Sequence, residues 1–352
     1  MNKRKRIAMY VWNDFDNDDR IKKKAYSLSK KYDVFVFCIT KKRKNGIKNI
    51  SESLTVQSIN FNNLILWFWN RLVTNKFFWK KYLIPADIYD CNDPDTLSAG
   101  VMGKKIFGAK LVYDSHEFWK GTRRKETNFL YTLYSYIGNT IHYLREKKYV
   151  KHVDRIITVS KIIQEKLFLT YKKPTYLIMN MTKKTNYKLN YDQKIKDKII
   201  VFAGSKYRLG VDSILNLFYK NGFKVIIIGN VKTKNPNYTY TGFILKQDYM
   251  KIMSKALLGV AYMEVNCDNF KYCMPNKLFE YLQVGVIPIV NTETIELADF
   301  VKENRIGIEF TKDKIKMPKI DFRVLQNRIN KIKENYTWNT QEPKFMEVYD
   351  FE

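Results

Sequence analysis

Cysteine is scarce in this chain. Its 352 residues hold four, Cys38, Cys91, Cys267 and Cys273. None forms a C-x-x-C pair, and no histidine stands near Cys267 and Cys273 to complete a zinc site, so a disulfide scaffold and a zinc module are both excluded. The four are expected as buried free thiols in a reducing compartment. No apolar run reaches the roughly 18 residues that a membrane-spanning helix needs. The longest apolar-aromatic patch, Leu64–Trp69, is interrupted by Asn70 and Arg71. Met1–Arg6 is basic, but Ile7–Trp12 is too short for the apolar core of a secretory leader and runs into acidic residues. Internal repeats and long low-complexity segments are lacking too. Acidic residues are outnumbered, 35 against 63 Lys and Arg. The imbalance is uneven: residues 1–200 carry a net +23 and residues 201–352 a net +5. A cationic amino-terminal half favours an anionic lipid face, a nucleic acid or a phosphorylated substrate.

What is present is a globular composition long enough for two cores. Both halves alternate apolar strands with amphipathic helices. In the first half, strands are expected at Arg6–Trp12, Asp33–Ile39, Asp87–Tyr89, Lys110–Tyr113, Arg155–Val159 and Tyr176–Met179. Helices are expected at Arg20–Lys31, Thr96–Phe107 and Lys161–Leu169, the last capped by Ser160. Residues 183–198, rich in Lys, Asn and Asp, read as a linker. The alternation restarts at Ile199–Gly204. Such strands indicate parallel sheets covered on both faces, and two series of them give two doubly wound, Rossmann-like α/β domains. Ligands of these sheets gather at the carboxyl ends of strands.

The most informative stretch is Met274–Val290. It reads as a loop, an amphipathic helix opened by Pro275, a stop at Gly285 and a buried strand. Near the helix start stand Lys277 and Glu280. A helix start suits a phosphate, and a carboxylate one turn in suits the two hydroxyls of a ribose. The same residues also fit a capped helix that only packs.

Taken in order, Asn17-Asp18-Asp19-Arg20-Ile21, Tyr113-Asp114-Ser115-His116-Glu117, Val153–Ser160, Phe202-Ala203-Gly204-Ser205 and Pro275-Asn276-Lys277-Leu278-Phe279-Glu280-Tyr281 resemble the GT-B nucleotide-sugar glycosyltransferases, most of all their family-4 retaining branch. The resemblance runs over nearly the whole chain. It implies an acceptor-binding domain over residues 1–182, a nucleotide-sugar-binding domain over 199–334, and a terminal helix in 335–352 that returns to the first domain. It places the reaction in a cleft that the two domains face. Glu280 matches the second glutamate of the family's E-x7-E motif, which accepts from the donor ribose. Tyr272 stands where the first glutamate would be, so the usual contact to the donor hexose is missing. Lys277 is then the diphosphate partner, with Asn276 beside it. Gly204 lets the main chain approach the ligand, and Ser205, Lys206 and Arg208 offer polar and cationic groups next to it. Lys206 and Arg208 are nearly equal candidates for the family's loop cation, and a solvated basic turn is the bland alternative.

His116, just past a strand, is the resemblance's catalytic candidate, with Glu117, Asn13 and Asp14 bordering the acceptor side. The segment Asp114–Glu117 would otherwise only close the sheet edge. His142 and His152 are expected to be structural. No metal is expected, because the D-x-D-like strings Asp14-Phe15-Asp16 and Asp93-Pro94-Asp95 lie in the first half, away from the donor residues. Cations and helix N–H groups serve the diphosphate instead.

The resemblance thus implies a metal-independent, retaining hexosyl or N-acetylhexosaminyl transferase with no cofactor. Its donor is a nucleotide-diphosphate sugar, UDP being the expected nucleotide. Its acceptor is a glycan or a lipid-linked glycan. Residues 61–85 and 119–149 interleave aromatics with cations, as in Trp67, Phe68, Trp69, Arg71, Phe77 and Lys80 or Arg123, Arg124, Lys125, Phe129, Tyr131 and Tyr134. That composition predicts docking on the anionic cytoplasmic face of a membrane; the alternative is a core with a solvated charged face. Three other readings remain open: a nucleotide-sugar epimerase of the same fold, an inactive binding subunit, and, more remotely, a nucleic-acid binder, although no RRM, zinc-finger or helix-turn-helix signature supports it.

Overall fold

The computed structural model describes residues 4–40, 45–61, 63–73, 75–122, 129–204, 209–231, 235–311 and 316–351. The chain divides into two compact units, residues 1–179 with 342–352, and residues 180–341.

Unit 1 contains β1 (Arg6–Val11), α1 (Asp19–Leu28), β2 (Asp33–Thr40), β3 (Gly46–Ser51), β4 (Leu54–Asn60), α2 (Leu64–Leu72), α3 (Asn75–Lys80), β5 (Ile88–Asn92) and α4 (Leu97–Phe107). It continues with β6 (Lys110–Ser115), α5 (Phe129–Tyr149), β7 (Arg155–Thr158), α6 (Lys161–Tyr171) and β8 (Thr175–Leu177). The eight strands lie in the order β3-β4-β2-β1-β5-β6-β7-β8. All pairs are parallel except β3 with β4. Central strands are buried from end to end, and this is why β1 and β2 read as continuous apolar runs rather than alternating ones.

Unit 2 contains α7 (Tyr191–Asp197), β9 (Ile199–Ala203), α8 (Leu209–Lys220), β10 (Lys224–Ile228), β11 (Thr239–Tyr240), α9 (Lys246–Lys255) and β12 (Leu258–Val260). Then come α10 (Asp268–Tyr272), α11 (Asn276–Gln283), β13 (Ile287–Asn291), α12 (Ile295–Asn304), β14 (Ile308–Phe310), α13 (Phe322–Ile332) and α14 (Trp338–Glu347), which runs on into unit 1. Its sheet is parallel throughout, in the order β11-β10-β9-β12-β13-β14.

Strand order reverses beside β1 in unit 1 and beside β9 in unit 2. These are the switch points at which doubly wound sheets leave a crevice past their carboxyl ends. Asn13 follows β1, Asp93 follows β5 and His116 follows β6; Gly204 follows β9 and Gly229 follows β10.

Besides α2, α3, α5, α10 and α13, which the sequence reading left unassigned, two segments depart from it. Residues 191–197, inside the expected linker, form α7. Its Lys194 is buried, and its Nζ donates to the carbonyls of Val284 (2.5 Å) and Gly285 (3.2 Å). An ammonium thus satisfies carbonyls left open where α11 ends. Residues 46–60 form the antiparallel pair β3 and β4, unassigned from sequence because β3 is an exposed edge without an apolar face.

Candidate functional site

In unit 2, α11 carries the informative motif. Pro275 is the residue before the helix (φ −74°, ψ 140°) and makes no side-chain cap. At the other end Gly285 adopts φ +62°, with Gly285 N–H donating to Leu282 (3.1 Å) and Val286 N–H to Tyr281 (2.9 Å). This double closure requires a left-handed residue, and glycine supplies it at least cost. Lys277 and Glu280 stand three residues apart on one helix face.

The Glu280 carboxylate is buried. It accepts from Lys246 Nζ and from Tyr249 Oη (2.6 Å), both on α9. Burial first, and then the Glu280 charge, push the Tyr249 phenol above its ordinary range. Lys277 is half-buried with Nζ 5.2 Å from the centre of the Phe202 ring. Burial lowers its pKa, with Glu280 opposing.

Gly204 lies next to this ammonium. A Cβ there would sit 3.4 Å from Lys277 Nζ and 2.9 Å from Phe202 Cζ, so a side chain would fill the space the glycine leaves. Gly229, at φ +120°, presses on the same turn: a Cβ on it would lie 2.3 Å from the Gly204 carbonyl oxygen. Asn276 is exposed on the first turn of α11, and Tyr272 ends α10 half-buried. Ser205, Lys206 and Arg208 lie outside the described residues. The structure therefore brings Gly204, Lys277 and Glu280 together and adds Lys246, Tyr249 and Phe202. Sequence reasoning did not single out these three as site residues, because α9 and β9 meet Lys277 and Glu280 only through the fold.

In unit 1, the carboxyl ends of β1, β5 and β6 meet in a charged cluster. His116 Nδ1 lies 3.0 Å from Asp93 Oδ2, and the His116 main-chain N–H donates to Asp93 Oδ1 (3.2 Å). Nε2 is enclosed 3.2 Å from Asp114 Oδ2, out of line for a hydrogen bond. The same Asp114 oxygen takes Lys24 Nζ from α1. Burial lowers the His116 pKa and Arg20 adds to this, while Asp93 opposes. A neutral ring with Nδ1–H donating to Asp93 fits that direction. Burial works against the Asp93 charge, yet His116 and Arg20 hold its pKa below the ordinary value. Asp93 also has a left-handed backbone, φ +62°, which a non-glycine residue adopts only under surrounding constraint.

Exposure separates the members of this cluster. The His116 side chain is 4% exposed and that of Asp93 21%. Asn13 is exposed and donates to Asp18 Oδ2 (3.2 Å). Asp14 accepts from Asp16 N–H (2.9 Å) and Thr40 Oγ1 (2.7 Å), so its carboxylate ties down the turn after β1. Glu117 is half-buried, and its carbonyl accepts from Ser115 Oγ. Beneath lies a second buried layer. Burial pushes Asp90 up to about 6 against Lys24, and pushes Lys24 down to about 8 against Asp90. Tyr349, from the end of the chain, donates to Asp90 Oδ2 at 3.0 Å. Arg20 and Asp93 stood in motifs that the sequence did not link to His116, and Lys24 carried no signal, since the cluster depends on strand order.

The two D-x-D-like strings split their carboxylates between different partners. Asp95, unlike Asp93, faces Arg71 (2.6 Å) and His142 (3.0 Å), and its carbonyl accepts from Asn75 and Trp79. Among the described residues no cluster of three or more His, Cys, Asp or Glu is arranged to hold a metal ion.

The basic-aromatic segments also divide. Trp79 and Phe78 are core, packed on Trp12. Ile65, Leu66, Trp69, Val73 and Phe77 are exposed, as are Leu133, Tyr136, Ile137 and Leu144 on α5. Arg123, Arg124, Lys125 and the side chains of Phe129, Tyr131 and Tyr134 lie outside the described residues. No described helix is long and apolar enough to cross a membrane.

No family model matches the chain. No curated protein matches it. Solved structures do. The chain is similar to the sucrose-phosphate synthase of Thermosynechococcus elongatus at 14% identity and TM-score 0.68, over 98% of each chain. It is similar to the catalytic domain of starch synthase IV from Arabidopsis thaliana, bound to ADP and acarbose, at 11% identity and TM-score 0.62, over 98% of each. It is also similar to Anabaena HepE in complex with UDP-glucose, at 12% identity and TM-score 0.59, over 98% of this chain and 99% of that one. At these identities the likeness is one of fold, and the fold is that of the GT-B enzymes: two parallel-sheet, Rossmann-like α/β domains.

Proposed function

We propose that the protein is a glycosyltransferase that moves a hexose or N-acetylhexosamine from a nucleotide-diphosphate sugar to a glycan or lipid-linked acceptor. The observation that carries this reading is the grouping of a buried carboxylate, a partly desolvated ammonium and a glycine at the carboxyl end of β9. Glu280 is placed to accept from ribose hydroxyls. Lys277, held over Phe202 beside Gly204, is placed to meet a diphosphate. The glycine provides the room and the start of α11 provides N–H groups. The named ligands of two similar structures, UDP-glucose and ADP, support a nucleotide donor. We take UDP as the nucleotide, with no metal needed.

In the proposed reaction the bond from the sugar's anomeric carbon to the diphosphate oxygen breaks. A bond from the acceptor oxygen to that carbon forms on the same face. The acceptor proton passes to the departing phosphate. Lys277 offsets the charge that develops on the leaving group. In unit 1, Asp93 presents the more exposed carboxylate to the acceptor hydroxyl, and His116 holds it in place. His116 is then a positioning residue. The exposed apolar side chains of α2 and α5, on the strongly cationic half of the chain, support a peripheral seat on an anionic, cytoplasm-facing membrane surface.

Calorimetry with UDP tests the donor half. Glu280→Ala removes charge-assisted bonds to the ribose and should weaken binding about tenfold or more. Unchanged affinity would withdraw the ribose assignment. Tyr272 supports a second reading, a subunit that binds the nucleotide sugar without transferring it. Turnover of a labelled UDP-sugar by the pure protein with a glycan acceptor separates the two.

A further inference from the structure

The carboxylate assigned to the ribose already has two donors. Glu280 Oε1 takes the ammonium of Lys246, and Oε2 takes the Tyr249 hydroxyl at 2.6 Å. Both partners come from α9, three residues apart and so on one side of that helix. A ribose would bring two more hydroxyl donors to the same group. The Glu280 side chain is only 12% exposed, which leaves little of the carboxylate for a second pair of donors.

The two present donors differ in how readily they leave. Tyr249 is half-buried, and taking it off Glu280 strands a hydroxyl in a largely desolvated place. Lys246 is at the surface, its side chain 45% exposed. Its ammonium rides on a flexible four-carbon stem and is strongly hydrated, so withdrawal into water costs only a part-exposed ion pair. Helix stability does not account for a lysine at this position. α9 begins at Lys246, and Leu245 before it makes no side-chain cap. A cation in the first turn opposes the helix dipole. Nor is Lys246 the sole counter-charge of Glu280. Lys277, three residues back on α11, also feels the carboxylate, which opposes the effect of burial on its ammonium. Lys277 therefore still offsets Glu280 after Lys246 has gone.

We propose that Lys246 is a displaceable stand-in for the ribose: it occupies Glu280 in the free protein and yields the carboxylate to the two ribose hydroxyls of an arriving nucleotide. Tyr249 stays and fixes the second oxygen. The inference rests on the ribose reading of Glu280 given above. Its consequence is a lowered affinity, because only the molecules with Lys246 withdrawn can accept the ribose. Lys246 thereby weakens the hold on the nucleoside diphosphate that remains after transfer.

The experiment is calorimetry with UDP on the whole protein and four variants: Lys246→Met, Glu280→Gln, the two combined, and Lys251→Met. Lys246→Met should tighten UDP binding by about three- to tenfold. Lys251→Met, five residues along α9 and turned to another side, removes the same charge and should weaken binding by no more than about twofold. With Glu280→Gln already in place, Lys246→Met should change affinity by less than about twofold, since no ammonium–carboxylate pair remains to be broken. Two results overturn the stand-in role and leave the ribose reading intact, provided that Glu280→Gln weakens binding. One is weaker or unchanged UDP binding by Lys246→Met; the other is an equal gain with and without Glu280. If Glu280→Gln binds UDP as tightly as the unaltered protein does, the ribose reading falls and the stand-in falls with it.

Discussion

Replacing Gly229 by alanine is the most incisive test of how unit 2 holds its candidate site. The residue sits at φ +120°, where an L side chain is strained by about 1–3 kcal/mol. A Cβ would also lie 2.3 Å from the carbonyl oxygen of Gly204. That neighbour is main chain and cannot swing aside, so the ends of β9 and β10 must separate, at a further cost of about 1–3 kcal/mol. The sum is about 2–6 kcal/mol. Gly222→Ala is the control: φ is +82°, but nothing lies within 4 Å of its Cβ, so only the backbone strain applies. The measurement should be local. Of the six tryptophans, Trp12, Trp67, Trp69, Trp79 and Trp119 belong to unit 1, so intrinsic fluorescence reports mainly on the wrong half. Hydrogen exchange over residues 199–231 is the appropriate readout. Gly229→Ala should accelerate exchange there well beyond Gly222→Ala, and should also weaken UDP binding, because Gly204 moves. Equal effects from the two substitutions would refute the argument that the pressed glycine pair shapes this turn.

Three further outcomes are expected. Burial raises Glu146 on α5 to about 7 although Tyr113, Tyr171 and Ser115 donate to it, so the folded state holds an extra proton between the ordinary 4.5 and about 7. Its contribution to stability is present below that window and is lost as pH rises through it, by roughly 3 kcal/mol; Glu146→Gln should remove this slope from urea titrations at pH 5 and pH 8. Lys194 runs the other way. Burial, helped by Lys333, lowers it to about 7, so between that value and 10.5 the unfolded chain holds the extra proton. Stability should rise with pH across that range by roughly 5 kcal/mol, and Lys194→Met should abolish the rise. In unit 1, His116→Ala and Asp93→Asn should each lower turnover about a hundredfold with nucleotide affinity unchanged. Wild-type turnover in both would dissolve the pairing proposed for them.

Much of the architecture was legible because strands covered on both faces must be apolar throughout. Lys224–Ile228 and Ile287–Asn291 show this, and the helices between them follow the expected period. The edge strand β3 was not legible, since one covered neighbour asks little of its side chains. Nor was α7, whose buried residue is a lysine and so reads as solvent-facing. Of the site, the residues that share one local element were readable: Lys277 with Glu280 on α11, and the turn after β6 that bears His116. Their partners were not. Lys24 lies 90 positions from Asp114, Asp93 lies 23 from His116, and Lys246 lies 34 from Glu280. Only the strand order brings them together, and no period in the sequence encodes it.

The return of residues 342–352 to unit 1 bears on how the protein is made. Phe345, Val348 and Tyr349 are at most 1% exposed there, and the Tyr349 hydroxyl ends on Asp90. On the ribosome, unit 1 emerges first but lacks these plugs until the whole of unit 2 has followed. Its core waits open for some 160 residues of synthesis. A nascent chain interrupted before Phe345 lacks both the apolar side chains that fill this core and the hydroxyl that donates to Asp90.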